Sequence, residues 1–455
     1  MTRSHRSPHG GAHPSGVARI AVDLLGGDGA PAVVVDGALR ACSADPDLHL
    51  LLVGPQDVAD GVISALPIAD RERVSVVAVD DAVGMADAPL RNIRRSTSVR
   101  AAAEAVYTGR VDGMVSAGSS GAAVAASAHV LGRLRGVRRP GLAAQLPTEH
   151  GPVLLIDVGV TLDATMLELV QHAVLGTAYA AVALGIARPR VGLLSIGSEP
   201  GKGDRLRRAV SIALSDVPLP AGGRYVGLVE GFDVPRGGPA DVIVTDGFTG
   251  NVLLKGLEAA MATARRLMQS TQQARDGSEA VAPSQRSAPE CDPSGPDPRT
   301  PTSGDGAASA RDQDASARDE AARIHDGAVH RHDAAAPPRG GAATAPVPEG
   351  DGAASRREET TPGLRDGHAR EGGHDADVRR PAQHEAAAVL LGVAGDVVVC
   401  HGSATGADIA DGIALAARLH RDHITPAVAG LADDLLAELS SAGGLTIRDA
   451  LGERS

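Results

Sequence analysis

Short apolar runs alternate with segments of helical spacing along the first 270 residues. Runs at 19–25, 48–53 and 74–79 predict strands, and the segments between them, 33–42 and 58–66, carry apolar residues at helical spacing. The alternation continues through strands predicted at 113–116, 142–146, 153–158, 191–196, 225–229 and 240–244. Strands and helices that alternate in this way form parallel sheets covered by helices. The pattern therefore predicts an α/β fold, a doubly wound, mostly parallel sheet with helices on both faces.

The pattern stops near residue 270 and resumes near residue 386. Residues 271–385 contain 21 acidic residues, 14 Arg, no Lys, six large aliphatic residues and no aromatic residue. Such a segment buries too little apolar surface to offset its chain entropy, so we predict that it is disordered. The predicted organisation is a disordered tail (1–16), the first part of the α/β domain (17–270), a disordered acidic insertion (271–385), the completing part of the domain (386–425) and a C-terminal helical extension (426–455).

The amino-acid composition argues against one class of partner, nucleic acid. Two Phe, three Tyr and no Trp imply a core of small aliphatic side chains, and the formal net charge is −12. Nucleic-acid binders use aromatic stacking platforms and basic surfaces, so we predict no nucleic-acid partner. The three cysteines, Cys42, Cys291 and Cys400, have neither metal-site nor disulfide spacing, which fits a reducing cytosol.

Glycine-rich turns follow four predicted strands, at 26–27, 118–121, 197–203 and 247–250, and a fifth strand ends at His401-Gly402-Ser403. In an open parallel sheet, ligands bind at the carboxyl ends of strands, and a turn entering a helix offers free N–H groups to an anion. The set predicts several turns that meet around a phosphate-type ligand, although each turn alone is equally explained as an ordinary strand–helix connection. The segment 197–203 is too short for a P-loop, and no carboxylate cluster demands a metal, so we predict neither a metal nor a cofactor.

Taken together, the chain resembles the bacterial phosphate acyltransferases of phospholipid synthesis, the acyl-ACP:phosphate acyltransferase family. The resemblance covers about 19–268 and 386–422, and it is carried by these segments in family order: Asp23-Leu24-Leu25-Gly26-Gly27-Asp28, Ser116-Ala117-Gly118-Ser119-Ser120-Gly121-Ala122, Asp157-Val158-Gly159, Ile196-Gly197-Ser198-Glu199 with Lys202-Gly203, Asp246-Gly247-Phe248-Thr249-Gly250-Asn251-Val252, Gly392-Val393 and His401-Gly402-Ser403. It implies a fold like that of isopropylmalate dehydrogenase and phosphotransacetylase. It also implies a helical hairpin, associated with dimer and membrane contacts, which the insertion interrupts.

The chain departs from the family pattern at three places. The family usually has Asn where this chain has Ser119, and Asn again near Thr161. A basic run usually lies between the segments that correspond to 85–89 and 96–98, and here only Arg94 and Arg95 remain. These departures bear on substrate contacts more than on the fold.

The resemblance implies that phosphate attacks the thioester of acyl-ACP and releases acyl phosphate and ACP. Since the nucleophile is already an anion, the site need only place it and neutralise charge. The resemblance implies that Lys202 and Asn251 are catalytic, and we expect Asp246 to orient one of them. Solvated lysine and helix-capping asparagine are the alternatives. The remaining candidates, for binding phosphate or substrate, are Gly26, Gly27, Asp28, Ser116, Gly118, Ser119, Gly121, Gly247, Gly250 and His401.

The expected partners are acyl carrier protein, inorganic phosphate, a membrane acyltransferase downstream, a second copy in a homodimer and, transiently, a membrane surface. The expected location is the cytoplasm. Lys255 is expected at the helix surface or against ACP, and Arg133, Arg135, Arg138 and Arg139 form either a docking patch for acidic ACP or a solvated face. Two alternatives stay open: an acyl-CoA phosphotransacetylase-type enzyme, and a catalytically degenerate paralogue that binds ACP.

Overall fold

The computed structural model describes residues 16–84, 95–279 and 387–441, and within the second range it describes side chains only as far as residue 271. Most of the predicted tail and insertion, the segment 85–94 and the end of the C-terminal extension, from residue 442, lie outside the described residues.

Eleven strands form one sheet in the part of the chain that the structure describes. They are β1 (Ala18–Asp23), β2 (Leu48–Gly54), β3 (Val74–Ala78), β4 (Gly113–Ser116), β5 (Gly141–Leu146), β6 (Val153–Ile156), β7 (Arg190–Ser195), β8 (Arg224–Glu230), β9 (Val242–Val244), β10 (Ala387–Leu391) and β11 (Asp396–Cys400).

The helices of the same residues are α1 (Ala32–Ala44), α2 (Gln56–Ala65), α3 (Ile68–Arg71), α4 (Ser98–Tyr107), α5 (Ser120–Val130), α6 (Met166–Ala183), α7 (Arg205–Asp216), α8 (Asp233–Arg236), α9 (Gly247–Glu279), α10 (Gly406–Arg421) and α11 (Ile424–Ser441).

The sheet is mixed, with strand order β3-β2-β1-β4-β11-β10-β5-β6-β9-β7-β8. Seven of the ten neighbouring pairs are parallel, and the antiparallel pairs are β10–β11, β10–β5 and β5–β6. Helices cover both faces: α1, α6, α7, α10 and α11 pack on one, and α4, α5 and α9 on the other. The predicted doubly wound, mostly parallel α/β fold is confirmed.

The antiparallel pairs reverse the second half of the sheet. Strands β1, β4 and β11 run one way, whereas β6, β7 and β9 run the other way. The carboxyl ends of the two sets therefore lie at opposite ends of the strands. These two ends are called here the two edges of the sheet. This topology decides which glycine-rich turns are neighbours.

Small aliphatic side chains build the core, as the composition predicts. Of the five aromatic residues only Tyr179 is buried in the core, while Tyr107, Phe232 and Phe248 are exposed. Within the described residues, α6 is the one helix long and apolar enough to cross a membrane, and 83% of that window is buried inside the fold. Its first turn is fixed by a capping box between Thr165 and Glu168.

Two predicted boundaries need correction. Helix α9 continues to Glu279, so helical structure extends beyond the predicted start of the insertion at 271. Helix α11 begins at Ile424, two residues before the predicted start of the C-terminal helical extension, and buries Val428, Ala432 and Leu436 against the core. Its apolar stripe packs on α6.

Candidate functional site

The turn between β9 and α9 packs directly on the turn after β6. The Gly247 N–H donates to the Thr161 carbonyl over 2.8 Å, and Asn251 Nδ2 donates to the Val158 carbonyl over 3.1 Å. A Cβ added at Gly250 would lie 2.0 Å from the Asp157 carbonyl oxygen. Both glycines are needed for close backbone packing, which differs from the phosphate-binding role expected for them.

Asp157 organises the backbone of the turn after β6. Its Oδ1 accepts from the N–H groups of Leu142 (3.2 Å), Gly159 (3.1 Å) and Val160 (3.0 Å), and its Oδ2 accepts from the Thr161 N–H (2.7 Å). These N–H groups are consequently directed at a carboxylate of the protein and not at a ligand. The turn acts as a fixed support for Asn251.

Asp246 caps α9 and pairs with an arginine. Its carboxylate accepts from the Thr249 N–H (2.9 Å) and the Thr249 hydroxyl (2.8 Å), and it contacts Arg207 Nη2. Burial raises the pKa of Asp246, but the Thr249 hydrogen bonds and the Arg207 charge outweigh it, so the net pKa is lowered. This carboxylate was expected to orient Lys202 or Asn251, whereas its partners here are Thr249 and Arg207. Sequence reasoning missed Arg207 because no local pattern relates it to Asp246.

Asn251 is not the cap of α9. The helix begins at Gly247, with Asp246 in the capping position, so Asn251 lies in the second turn. Its half-buried Nδ2 carries two hydrogens, and the Val158 carbonyl takes one of them. The second Nδ2 hydrogen can be donated to a ligand.

Lys202 lies in the turn after β7, which neighbours β9 in parallel register. The lysine is exposed, and its stem folds over Gly197, where an added Cβ would lie 3.1 Å from Lys202 Cγ. The same turn leads through Asp204, the cap of α7, to Arg207 and so to Asp246. The turns that carry Lys202 and Asn251 are therefore adjacent at one edge of the sheet.

The turns after β1, β4 and β11 form a second group, at the opposite edge. A Cβ added at Gly26 would lie 2.6 Å from the Gly118 nitrogen, and one at Gly27, whose φ is +112°, would lie 3.3 Å from the Gly402 carbonyl oxygen. The Asp28 N–H donates to that same Gly402 oxygen over 2.8 Å. Glycine is required here for close approach and, at Gly27, for a positive φ.

A cavity of about 10 Å³ lies within this second group, lined by Asp23, Gly26, Ser98, Ser116 and Ser119 among others. That is about the volume that one water needs, so phosphate does not fit inside it. Burial raises the pKa of Asp23, and hydrogen bonds from Ser98 and Ser116 oppose that effect. Gly121 lies beside the cavity, in the first turn of α5.

The start of α5 carries no carboxylate of its own. Its capping residue, Ser119, makes no side-chain hydrogen bond to the helix, and the first turn carries no acidic residue. The helix dipole at this end is thus not neutralised from within the turn, unlike that of α9, where Asp246 occupies the equivalent place.

Helix α9 connects the two groups. Asn251, Lys255 and Glu258 lie on one face at i, i+4 and i+7, and Asn251 and Lys255 are separated by about 6 Å of helix rise. Lys255 Nζ contacts His401 Nε2, and Glu258 Oε2 lies 3.4 Å from the same nitrogen. The site is therefore two groups of turns joined along α9 and not the single ring of turns that a parallel sheet predicts.

His401 is held in place from both sides. Its Nδ1 accepts from the Ser403 N–H over 3.2 Å and lies 2.6 Å from the Ser403 hydroxyl, so Nε2 faces Lys255 and Glu258. Burial raises the pKa of Glu258, and the His401 and Lys255 charges oppose this. Lys255 is exposed, as expected, but its contact with His401 was not foreseen. The polar spacing of 251, 255 and 258 on an amphipathic helix is the pattern that could have identified Glu258.

A family model described as "Fatty acid synthesis protein" matches residues 18–282. Proteins named phosphate acyltransferase from Bacillus mycoides strain KBAB4 and Bacillus thuringiensis strain Al Hakam are 43% and 42% identical over 243 residues, which is 53% of this chain and 71% of each relative.

Solved structures match more distantly. A phosphotransacetylase from Streptococcus pyogenes aligns with a TM-score of 0.39 and 18% identity, over 55% of this chain and 82% of that one. A 4-hydroxythreonine-4-phosphate dehydrogenase from Klebsiella pneumoniae aligns with a TM-score of 0.41 and 12% identity, over 90% and 98%.

Proposed function

The chain belongs to the fatty acid synthesis protein family, and from that premise we propose that it transfers a fatty acyl group from acyl-ACP to inorganic phosphate for glycerophospholipid synthesis. It is a phosphate acyltransferase, as are the relatives that share more than two-fifths of its aligned residues. The observation that carries the proposal is α9, which sets Asn251 within one helical turn of the Lys255–His401 contact.

Phosphate binds, in this proposal, at the mouth of the second group of turns. The open start of α5 faces this region with its N–H groups and positive dipole. Lys255 adds a positive charge through its contact with His401, and Gly402 ties His401 to the turn after β1. Gly26, Gly27, Gly118 and Gly121 permit the close approach of backbone to an anion.

The thioester carbonyl binds near Asn251. Its free Nδ2 hydrogen stabilises the oxyanion that forms when phosphate attacks, and Lys202, in the adjacent turn, adds positive charge. A phosphate oxygen forms the new bond to the carbonyl carbon, and the carbon–sulfur bond breaks. With hydrogen phosphate as the nucleophile, its proton ends on the departing sulfur, and the products are acyl phosphate and the free thiol.

His401 is proposed to donate a hydrogen bond to the reacting groups. Because Nδ1 accepts from the Ser403 N–H, the neutral ring carries its proton on Nε2, and Glu258 Oε2 lies 3.4 Å from that nitrogen. The proton of hydrogen phosphate therefore passes directly to the departing sulfur. The chemistry uses no covalent enzyme intermediate. Within the described residues, no group of three His, Cys, Asp or Glu side chains is arranged to hold a metal ion.

The preferred acyl donor distinguishes this proposal from the two alternative functions. Purified protein should convert phosphate to acyl phosphate, followed by 31P NMR, while free thiol accumulates from acyl-ACP. The same acyl chain on CoA should react much more slowly. Preference for acyl-CoA would favour a phosphotransacetylase-type enzyme, and ACP binding without turnover would favour the degenerate paralogue.

The wider setting is also proposed from family membership. The protein acts in the cytoplasm as a homodimer with transient membrane contact, and its product passes to a membrane acyltransferase. Exposed apolar side chains on α9, Val252, Leu267 and Met268, support a contact along this helix. The segment between the two described parts of the domain, 280–386, is an insertion that the chemistry does not need, as its composition suggests. Light scattering of the full chain tests the homodimer, and acyl-phosphate formation by a variant lacking 281–377, at the rate of the full chain, tests whether the chemistry needs the insertion.

A further inference from the structure

Four exposed arginines, Arg133, Arg135, Arg138 and Arg139, lie in the loop between α5 and β5. We propose that this arginine surface is where the acidic carrier protein docks to deliver its acyl chain. The identity of the donor rests on the proposed function. The location of the docking surface is argued from the contacts and charges of the loop.

The loop is built as a rigid platform. The Gly136 carbonyl accepts from Gln171 Nε2 over 2.7 Å and from the Ser440 hydroxyl, and the Arg138 N–H donates to Gln171 Oε1 over 3.0 Å. Gln171 is fully buried in α6, and both the oxygen and the nitrogen of its side-chain amide hydrogen-bond to this surface loop. Fixing a loop before binding lowers the entropy lost when a partner docks.

The charge of the surface suits an acidic protein. Four arginines fall within seven residues of a chain whose formal net charge is −12. Glu168 offsets one of them through Arg139, with Oε1 3.3 Å from Nε, and Arg133 is held by the Arg138 carbonyl. Complementary charge speeds the encounter with an acidic partner and selects it over others.

The shape of the surface favours a protein over a membrane. Arg133, Gly136, Val137, Arg138, Arg139 and Glu168 line a depression of about 450 Å³. Carboxylates that project from a folded partner can enter a depression of this kind, which matches the relief of a protein surface more closely than the plane of a membrane. Its lining is almost entirely polar, so it does not hold the acyl chain.

The surface lies on the same edge of the sheet as Asn251. Arg139 precedes β5, whose Leu142 N–H donates to Asp157 Oδ1 over 3.2 Å and whose Leu142 carbonyl accepts from the Val158 N–H over 2.9 Å. The Val158 carbonyl in turn accepts from Asn251. Three residues of extended chain, about 10 Å, separate Arg139 from Leu142. In this proposal a flexible prosthetic arm spans that interval, and the Leu142–Val158 and Val158–Asn251 hydrogen-bonded contacts beyond it, to place its thioester at Asn251.

The test compares donors with and without the carrier protein. The double variant Arg135→Glu/Arg138→Glu should raise the KM for acyl-ACP about tenfold and weaken binding of holo-ACP by the same factor. Its kcat/KM for the same acyl chain on pantetheine should stay within about twofold of wild type, since that donor has no protein to dock. The double Arg→Lys variant should restore both values for ACP. Arg188→Glu is the matched control, because Arg188 is exposed and precedes β7 at the opposite edge.

Three results would overturn the proposal. The first is unchanged holo-ACP binding in the double Glu variant. The second is an equal loss with acyl-pantetheine and acyl-ACP, which would make the arginines part of the fold or chemistry. The third is loss of binding to anionic vesicles with no loss of ACP binding, which would make the surface a lipid site. Holo-ACP binding needs no turnover, so a wild type that binds ACP through this surface but forms no acyl phosphate would refute the proposed function and not the docking surface.

Discussion

Replacing Gly250 with alanine tests the contact on which the site is built. The added Cβ would lie 2.0 Å from the Asp157 carbonyl oxygen, 2.8 Å from Thr245 Cγ2 and 3.0 Å from the Asp157 carbonyl carbon. Two of these atoms are backbone, so no side-chain rotation relieves the clash. To bring the closest atom from 2.0 Å to 3.0 Å, the start of α9 and the turn after β6 must separate by 1.0 Å.

The cost follows from the contacts that this separation disturbs. Overpacking a tight contact costs about 1–3 kcal/mol. The Gly247–Thr161 and Asn251–Val158 hydrogen bonds cross the same interface, and each contributes about 1 kcal/mol. The better helix propensity of alanine offsets this loss of unfolding free energy by about 0.5–1 kcal/mol. The expected net loss for Gly250→Ala is about 2–3 kcal/mol of unfolding free energy.

Gly256→Ala is the matched control, because it lies in the same helix with nothing within 4 Å of an added Cβ. It should gain about 0.5–1 kcal/mol from helix propensity alone. Urea denaturation followed by circular dichroism should therefore place the two alanine variants on opposite sides of wild type, about 3 kcal/mol apart. If Gly250→Ala were as stable as Gly256→Ala, the packing of α9 on the turn after β6 would be refuted.

Three more substitutions separate chemistry from stability. Asn251→Leu, similar in size but without the amide, should lower kcat about 10²–10³-fold with little loss of folding, and a kcat near wild type would remove Asn251 from the mechanism. His401→Ala, which removes the ring N–H that the proposal uses as a donor, should lower kcat about 10²-fold, and an unchanged kcat would exclude that hydrogen bond. Burial, with the Asp112 charge, raises the pKa of Asp396 to about 6 against a hydrogen bond from Thr425. The contribution of Asp396 to stability is therefore lost as pH rises from about 4 through 6, and Asp396→Asn should match wild type at about pH 4 but exceed it by up to about 3 kcal/mol at pH 8. Parallel pH curves in urea denaturation would contradict this.

The sequence predicts the existence of nearly every strand and helix, because the two apolar periods differ clearly along this chain. Local periodicity does not show the direction in which each strand runs in the sheet. The connections could have supplied it: β5 and β6 are joined by 147–152, and β10 and β11 by 392–395. Parallel neighbours need a crossover of a dozen or more residues, so both connections require antiparallel pairing. That reversal is what places the glycine-rich turns at two edges.

The site was predictable as a set of turns but not as an arrangement. Glycines at 26, 27, 247 and 250 are explained by close backbone approach, which a sequence suggests without showing what approaches. The Arg207–Asp246 pair and the His401 contacts join residues far apart in the chain. No local pattern encodes those distances, since they depend on the order of strands in the sheet.

The most direct measurement of the central claim is the fate of acyl-ACP when phosphate is added to the purified protein. The account predicts one acyl phosphate, detected by 31P NMR, for each free thiol released, at a rate that saturates with phosphate and collapses in Asn251→Leu. Thiol release at the same rate without phosphate, or free fatty acid as the product, would contradict it.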